Sequence, residues 1–142
     1  MNHTPIYISR DDNSKLRRLL ATPIYAPAML GPLRKLREEL DRAMVIDSSA
    51  LPDDIVTMDS TVEFEDLATG EIEEYTLTYP DRADVEQKRI SILAPIGTAL
   101  IGYRVGDRVK WPTPGGIREL KIRRVTSEIA QPAAQLAGAA AP

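Results

Sequence analysis

The stretch Ile90-Ser91-Ile92-Leu93-Ala94-Pro95-Ile96-Gly97-Thr98-Ala99-Leu100-Ile101-Gly102-Tyr103-Arg104-Val105-Gly106-Asp107 decides the fold. Its apolar start predicts a strand over 89–93. Pro95 breaks that run and suits the first turn of a helix, where the N–H it lacks has no helical partner. Ile96 to Ile101 supplies a short Ala/Leu helix, and Gly102 stops it. Gly106-Asp107 then turns the chain into Arg108-Val109-Lys110-Trp111, whose alternation is that of a half-buried strand over 107–111. Pro112-Thr113-Pro114-Gly115-Gly116 turns again into a strand over 117–125.

Upstream, Thr61-Val62-Glu63-Phe64-Glu65 alternates cleanly, 68–71 is a turn, and 72–79 alternates through Tyr75, Leu77 and Tyr79. Ile55-Val56-Thr57-Met58 adds a further strand signal, and Pro80 to Lys88 is a polar loop. Nearer the start, Ser9 or Asp11 can cap a helix that carries Leu16, Leu19 and Leu20 on one face and ends before Thr22-Pro23. Ile24 to Gly31 is a proline-punctuated turn, and Pro32 is expected at the first position of a second helix. Leu33, Leu36, Leu40, Ala43 and Met44 give that helix a seam for packing on the first. The expected fold class is α+β, with a short antiparallel helical hairpin as an arm over 1–46 and a polar linker over 47–54. An antiparallel sheet covered by one short helix follows over 55–126, then a tail over 127–142 whose low-complexity end carries no charge from Gln131 on.

Composition bounds the chemistry. Apolar residues make up 43% of the 142 and aromatics only 5%, so the core is one of Leu, Ile, Val and Ala. The absence of cysteine excludes disulfides, thiolate metal sites and cysteine nucleophiles together. No segment approaches the roughly 20 apolar residues of a membrane span, and no basic-then-apolar leader is visible, so a cytoplasmic location is expected. Charge is segregated along the chain. Residues 1–37 carry seven Lys/Arg against two acids, 38–90 four against sixteen, and 91–142 seven against three. Such segregation suits steering onto a charged partner surface or solvation of an exposed sheet face, whereas phosphate binding by the acidic middle is disfavoured.

The stretch 94–107 resembles the C-terminal domain of the bacterial Gre transcription factors, whose pattern is roughly S-P-x-G-x-A-L-L-G-x-x-x-G-D. Pro95, Gly97, Ala99, Leu100, Gly102, Gly106 and Asp107 match it, with Ala94 in place of the serine. The whole chain is more similar to the Rnk branch of that family. The resemblance implies a fold like that of FKBP-type isomerases. It also implies RNA polymerase as partner, bound at a coiled coil of its largest subunit on the rim of the secondary channel. The residues implied to make that contact are Leu93, Ala94, Pro95, Ile96 and Gly97. The branch is named for regulation of nucleoside diphosphate kinase, which implies the alternative of an interaction protein acting on that or another nucleotide-metabolism enzyme.

Cleaving Gre factors carry an acidic pair at the tip of a long helical hairpin, where the carboxylates help hold a magnesium ion and a water at the polymerase active centre. No Asp or Glu lies between Asp12 and Glu38 here, and the stretch 13–37 holds six basic residues. A helix of about ten residues spans roughly 15 Å, a half to a third of what such a probe needs. Transcript cleavage is therefore not expected, nor is any catalytic, metal or cofactor site. Glu38 and Asp41 share an i, i+3 spacing, but so do Glu63/Asp66, Glu71/Glu74 and Asp81/Asp84, as an acidic segment produces by chance. His3 is the only histidine and builds neither a zinc site nor a catalytic triad alone. The Pro112–Gly116 turn lacks the lysine and following helix of a phosphate loop, and one Trp with one Phe is too little for an aromatic isomerase pocket.

Overall fold

The computed structural model describes residues 5–21 and 27–127; His3, the 22–26 part of the expected turn and all but the first residue of the expected tail lie outside them. β1 (Tyr7–Ser9) leads directly into α1 (Arg10–Ala21). Ser9 Oγ accepts the Asp12 amide at 3.0 Å, so Ser9 is the cap. α2 (Leu30–Arg42) follows a 3-10 turn at Pro27–Met29, which places Pro32 inside its first turn and not at its first position. The first-turn amides have no helical acceptor, so the ring is tolerated there. Leu16, Leu36 and Leu40 are buried as the apolar spacing requires, while Met44 is exposed.

Met44 is exposed because the helix has already ended. β2 (Met44–Ile46) pairs in parallel with β1, Tyr7 opposite Met44 and Ser9 opposite Ile46, so the two helices leave from and return to one place. Neither strand is evident from the sequence.

The main sheet contains β3 (Ser60–Asp66), β4 (Ile72–Thr78), β5 (Arg89–Ser91), β6 (Arg108–Thr113) and β7 (Gly116–Ser127). Their order is β5-β4-β3-β7-β6. The expectation of a wholly antiparallel sheet needs correction at its edge, since β5 pairs in parallel with β4. The chain leaves β4 through 3-10 turns at Pro80–Arg82 and Val85–Gln87, and returns running the same way. The segment Ile55–Met58 forms no strand. Ile55 makes a single bridge to Arg104, and Val56 exchanges backbone bonds with Tyr103 and Gly102 at 2.8 and 2.9 Å. Its apolar residues are buried all the same, which explains the strand-like signal.

α3 (Pro95–Leu100) covers the inner face. One buried cluster joins Leu16, Leu36 and Leu40 of the arm to Phe64, Leu77, Leu100 and Ile122 of the sheet layer. Gly102 locks the joint: its φ is +84°, and a Cβ there would lie 2.7 Å from Ile6 Cβ. Its carbonyl accepts the Tyr7 amide at 3.1 Å, which fixes β1 against the loop after α3.

Candidate docking surface

The turn into α3 is held by short bonds within its own residues. Ser91 Oγ accepts the Leu93 amide at 3.0 Å, and the Ser91 carbonyl accepts the Ala94 amide at 3.0 Å. Thr98 Oγ1 donates to the Ile92 carbonyl at 2.6 Å, tying the helix body back to the turn that follows β5. Ala94 occupies the N-cap with extended backbone and offers no side-chain acceptor, so the Ile96 and Gly97 amides lack the partner a serine would provide.

All five residues marked by the sequence fall in this one turn, with different roles. Pro95 is the exposed apex, and Ala94 and Ile96 are its half-buried shoulders, Ile96 also resting on the core. Leu93 is 7% exposed and belongs to the core. Gly97 is buried because the chain passes against it: a Cβ would run into the Ser91 carbonyl oxygen and stand 3.1 Å from Leu77 Cδ1. The corner is thus a small rigid apolar knob mounted on two buried supports.

At the base of the arm are two polar contacts, one buried and one half-buried, that sequence reasoning missed. The Asp12 carboxylate accepts the Met58 amide at 3.1 Å, linking α1 to the segment before β3. Burial pushes its pKa up, against the lowering effects of the Met58 hydrogen bond and of Lys15. On α2, Arg42 Nη2 donates to the Tyr103 hydroxyl at 2.8 Å, and the guanidinium stands 5.8 Å from that ring's centre. Glu39, only 8% exposed, pairs with Arg42 at 3.0 Å. The signal was present in the spacing, since Asp12 precedes Leu16 by four and Glu39 follows Leu36 by three. Nearby, the Tyr79 hydroxyl is buried without a hydrogen-bond partner. Burial raises its pKa first, and the Asp12 and Asp59 carboxylates raise it further.

The acidic pairs do not assemble a metal site. Glu38 and Asp41 are exposed, and Asp41 is taken by Arg17 at 2.8 Å. Asp66 accepts from the Ala68 amide at 2.8 Å and pairs with Arg118 at 2.9 Å, so it is a turn residue. Among the described residues no group of three or more His, Asp or Glu is placed to hold a metal ion. Part of the charge segregation is absorbed by pairing of the acidic β3 with the basic β7. Glu63 meets Arg124 at 3.0 Å and Arg123 at 3.5 Å, and Glu65 meets Arg123 at 3.0 Å. Trp111 is half-buried against the core, and the Pro114-Gly115 step is the hairpin turn between β6 and β7.

A short arm fused to a sheet whose covering helix presents one exposed proline corner defines a class of protein. The family profile described as "Transcription elongation factor, GreA/GreB, C-term" matches residues 51–127, and the chain belongs to that family. A second profile, "Rnk N-terminus", matches residues 4–46, the arm. Among individual proteins, the chain is 38% identical over 117 residues to "Regulator of nucleoside diphosphate kinase" of Escherichia coli (strain K12), covering 82% of this chain and 85% of that one. It is 40% identical over 92 residues to "Transcription elongation factor GreA" of Syntrophus aciditrophicus (strain SB), covering 65% of this chain and 57% of that one. A solved structure, "Prokaryotic transcription elongation factor GreA/GreB from Nitrosomonas europaea", superposes with a TM-score of 0.69 at 40% identity, over 87% of this chain and 98% of its own. These relatives are named as transcription factors and a regulator, and none as an enzyme. Among the described residues no helix is long and apolar enough to cross a membrane.

Proposed function

We propose that this chain is a non-catalytic transcription regulator that binds RNA polymerase at the rim of its secondary channel and competes there with cleavage factors. The observation that carries the reading is the arm. Its helices have 12 and 13 residues, or about 18–20 Å at 1.5 Å per residue, too short for a probe down a long channel. No carboxylate lies between Asp12 and Glu38, so the residues flanking the tip have nothing with which to hold a catalytic magnesium. The protein occupies the entrance without performing the chemistry.

In this reading Pro95 enters a pocket on the largest-subunit coiled coil, with Ala94 and Ile96 completing an apolar contact and Leu93 and Gly97 holding it from beneath. Small, rigid, well-supported apolar anchors dominate interface energetics. The arm over 1–46 acts as a short antiparallel hairpin, joined by 47–54 to an FKBP-like module over 55–126 that works in the cytoplasm and carries no isomerase activity. The placement of Phe64 in the core, its ring 6.0 Å from that of Tyr75, supports that last point, because it removes the only phenylalanine from any open pocket.

The test is capture of purified core polymerase by the full chain, run beside cleavage of a backtracked complex. Wild type is expected to bind, to leave the transcript uncut and to slow a cleaving factor added with it. Pro95→Ala with Ile96→Asp is expected to bind at least about tenfold more weakly, a loss of the size seen when a central apolar anchor is truncated. No binding by wild type, or equal binding by a double variant with native circular dichroism, defeats the proposal.

The name of the relative at 38% identity favours a second reading, in which the same corner docks on a nucleoside diphosphate kinase. Co-purification from the native cytoplasm separates the two, since polymerase subunits would then be absent and the kinase present.

A further inference from the structure

The outer face of the main sheet, on the side α3 leaves uncovered, holds an arrangement of cations that folding alone does not require. Arg108 of β6 and Lys121 of β7 stand directly opposite each other, and the burial of Val109, Leu120 and Ile122 beside them turns both outward. Like charges at directly opposed positions weaken strand pairing. Neither side chain has a hydrogen bond or ion pair among the described residues. Glu65, opposite Lys121 on the other side, gives its carboxylate to Arg123.

A bulge adds to this concentration. The register of β3 with β7 shifts between Glu63 and Phe64, so Glu63 faces Arg124 while Phe64 faces Ile122, and Arg123 is the extra residue. Consecutive strand residues ordinarily point to opposite faces, whereas a bulge re-aims one of them. Arg123 and Arg124 accordingly both reach Glu63 from the same side. At this point β6 gives way to the Val105-Gly106 turn. The resulting depression, about 510 Å³, is lined by Glu63, Val105, Gly106, Lys121, Arg123 and Arg124.

We propose that this depression is a second docking site, which takes the carboxylate side chains of an acidic segment on a partner protein. The planar forks of Arg123 and Arg124 match carboxylates in geometry, and Lys121 in the lining, with Arg108 opposite it on β6, supplies positive charge that no carboxylate among the described residues pairs with. Glu63, Glu65 and Glu74 are interleaved with these cations. That interleaving repels a continuous polyphosphate, which is bound best by clustered Lys/Arg without acids, and admits separate carboxylates that exchange with the resident ones. The site lies on the sheet face opposite the Pro95 corner, so it stands or falls independently of where that corner docks.

The experiment uses the full chain and a fluorescein-labelled peptide of alternating glutamate and serine, followed by fluorescence anisotropy. Binding is expected at about 50 mM salt and is expected to weaken markedly at about 300 mM, because exposed charges are screened. The matching glutamine/serine peptide is expected not to bind. Arg108→Ser with Lys121→Ser removes two exposed contacts and is expected to weaken binding about tenfold, with the melting temperature unchanged or raised. Lys15→Ser with Arg37→Ser makes the same change in net charge on the arm and is expected to bind like wild type. The proposal is overturned if the acidic peptide does not bind, if the arm variant loses as much as the sheet variant, or if single-stranded RNA of equal net charge competes better than unlabelled peptide.

Discussion

Gly97→Ala and Gly31→Ala are the same substitution in two helices, and the structure predicts different outcomes for them. In an exposed helix, alanine is favoured over glycine by about 0.5–1 kcal/mol, since glycine has more freedom to lose on folding. At Gly31, in the first turn of α2, a Cβ meets nothing within 4 Å apart from its chain neighbours. Pro32 follows, however, and a proline ring disfavours helical backbone in a preceding residue that carries a Cβ, so the gain is largely cancelled. At Gly97 the new Cβ collides with the Ser91 carbonyl oxygen and stands 3.1 Å from Leu77 Cδ1. Neither neighbour can withdraw cheaply: the carbonyl is held by the Ala94 amide at 3.0 Å, and Leu77 is 0% exposed. Overpacking of this kind costs about 1–3 kcal/mol, which outweighs the propensity gain and leaves a net loss of about 1–2 kcal/mol. For a chain of this size that lowers the melting temperature by about 3–8 °C, while Gly31→Ala is expected to change it by less than about 2 °C. Thermal and urea unfolding followed by far-ultraviolet circular dichroism measure both, and equal urea slopes confirm that one transition is compared. A Gly97→Ala protein as stable as wild type would refute the claim that strand, turn and helix are in hard contact beneath the Pro95 corner.

The arm's basal contacts give two further expectations. Tyr103→Phe removes the acceptor of Arg42. Because the Arg42 side chain is 30% exposed and keeps part of its hydration, the loss is about 1 kcal/mol, at the low end for a bond to a charged group; melting temperatures that do not differ would show that the bond contributes nothing. Asp12→Asn tests the raised acid. A carboxyl whose folded pKa lies above its unfolded value contributes stability that is fully present below the unfolded pKa and is lost as pH rises through the folded one. The stability of wild type relative to Asp12→Asn is therefore expected to be greatest at acid pH and to decline toward neutrality. A urea series between about pH 3 and 7 checks the sign, and a difference that grows with pH would mean that the Met58 amide outweighs burial.

Much of this architecture is legible in the sequence because it is local. The alternation of 61–65 and 72–79 becomes β3 and β4, and the Pro95 to Gly102 punctuation becomes α3 with its left-handed stop. What escaped is long-range or depends on a single residue of register. β1 and β2 have three residues each and pair across the whole arm, where no period can be read. β5 is equally short, and its parallel direction follows from two 3-10 turns in a mostly polar segment with no hydrophobic period. Ile55–Met58 carries a strand's composition because it is buried, but Val56 bonds to the loop after α3, Thr57 to the Ser60 hydroxyl and Met58 to the Asp12 carboxylate, so no ladder forms. Within the candidate site, Pro95 could be located from sequence, whereas the contact that requires glycine at 97 comes from the Ser91 backbone, and no side chain announces it.

The base of the arm, more than its tip, explains why this family member is built as it is. The tip is flanked by basic residues and offers no chemistry, yet the base is fixed several times over. Gly102 accepts from Tyr7, Asp12 from Met58 and Tyr103 from Arg42, all beside one continuous apolar cluster. Each polar link adds about 0.5–1.5 kcal/mol once water is counted, and together they tie β1, the first turn of α1 and the end of α2 to the sheet layer. A probe that must reach a distant centre gains from length. Under the proposed function the arm is a plug at the channel entrance, which gains from being immobile with respect to its anchor, and these contacts tie the arm to the layer that carries Pro95. On that proposal, stiffness at the base and lack of carboxylates near the tip serve one task, and loosening the base is expected to weaken competition with cleavage factors before it weakens binding.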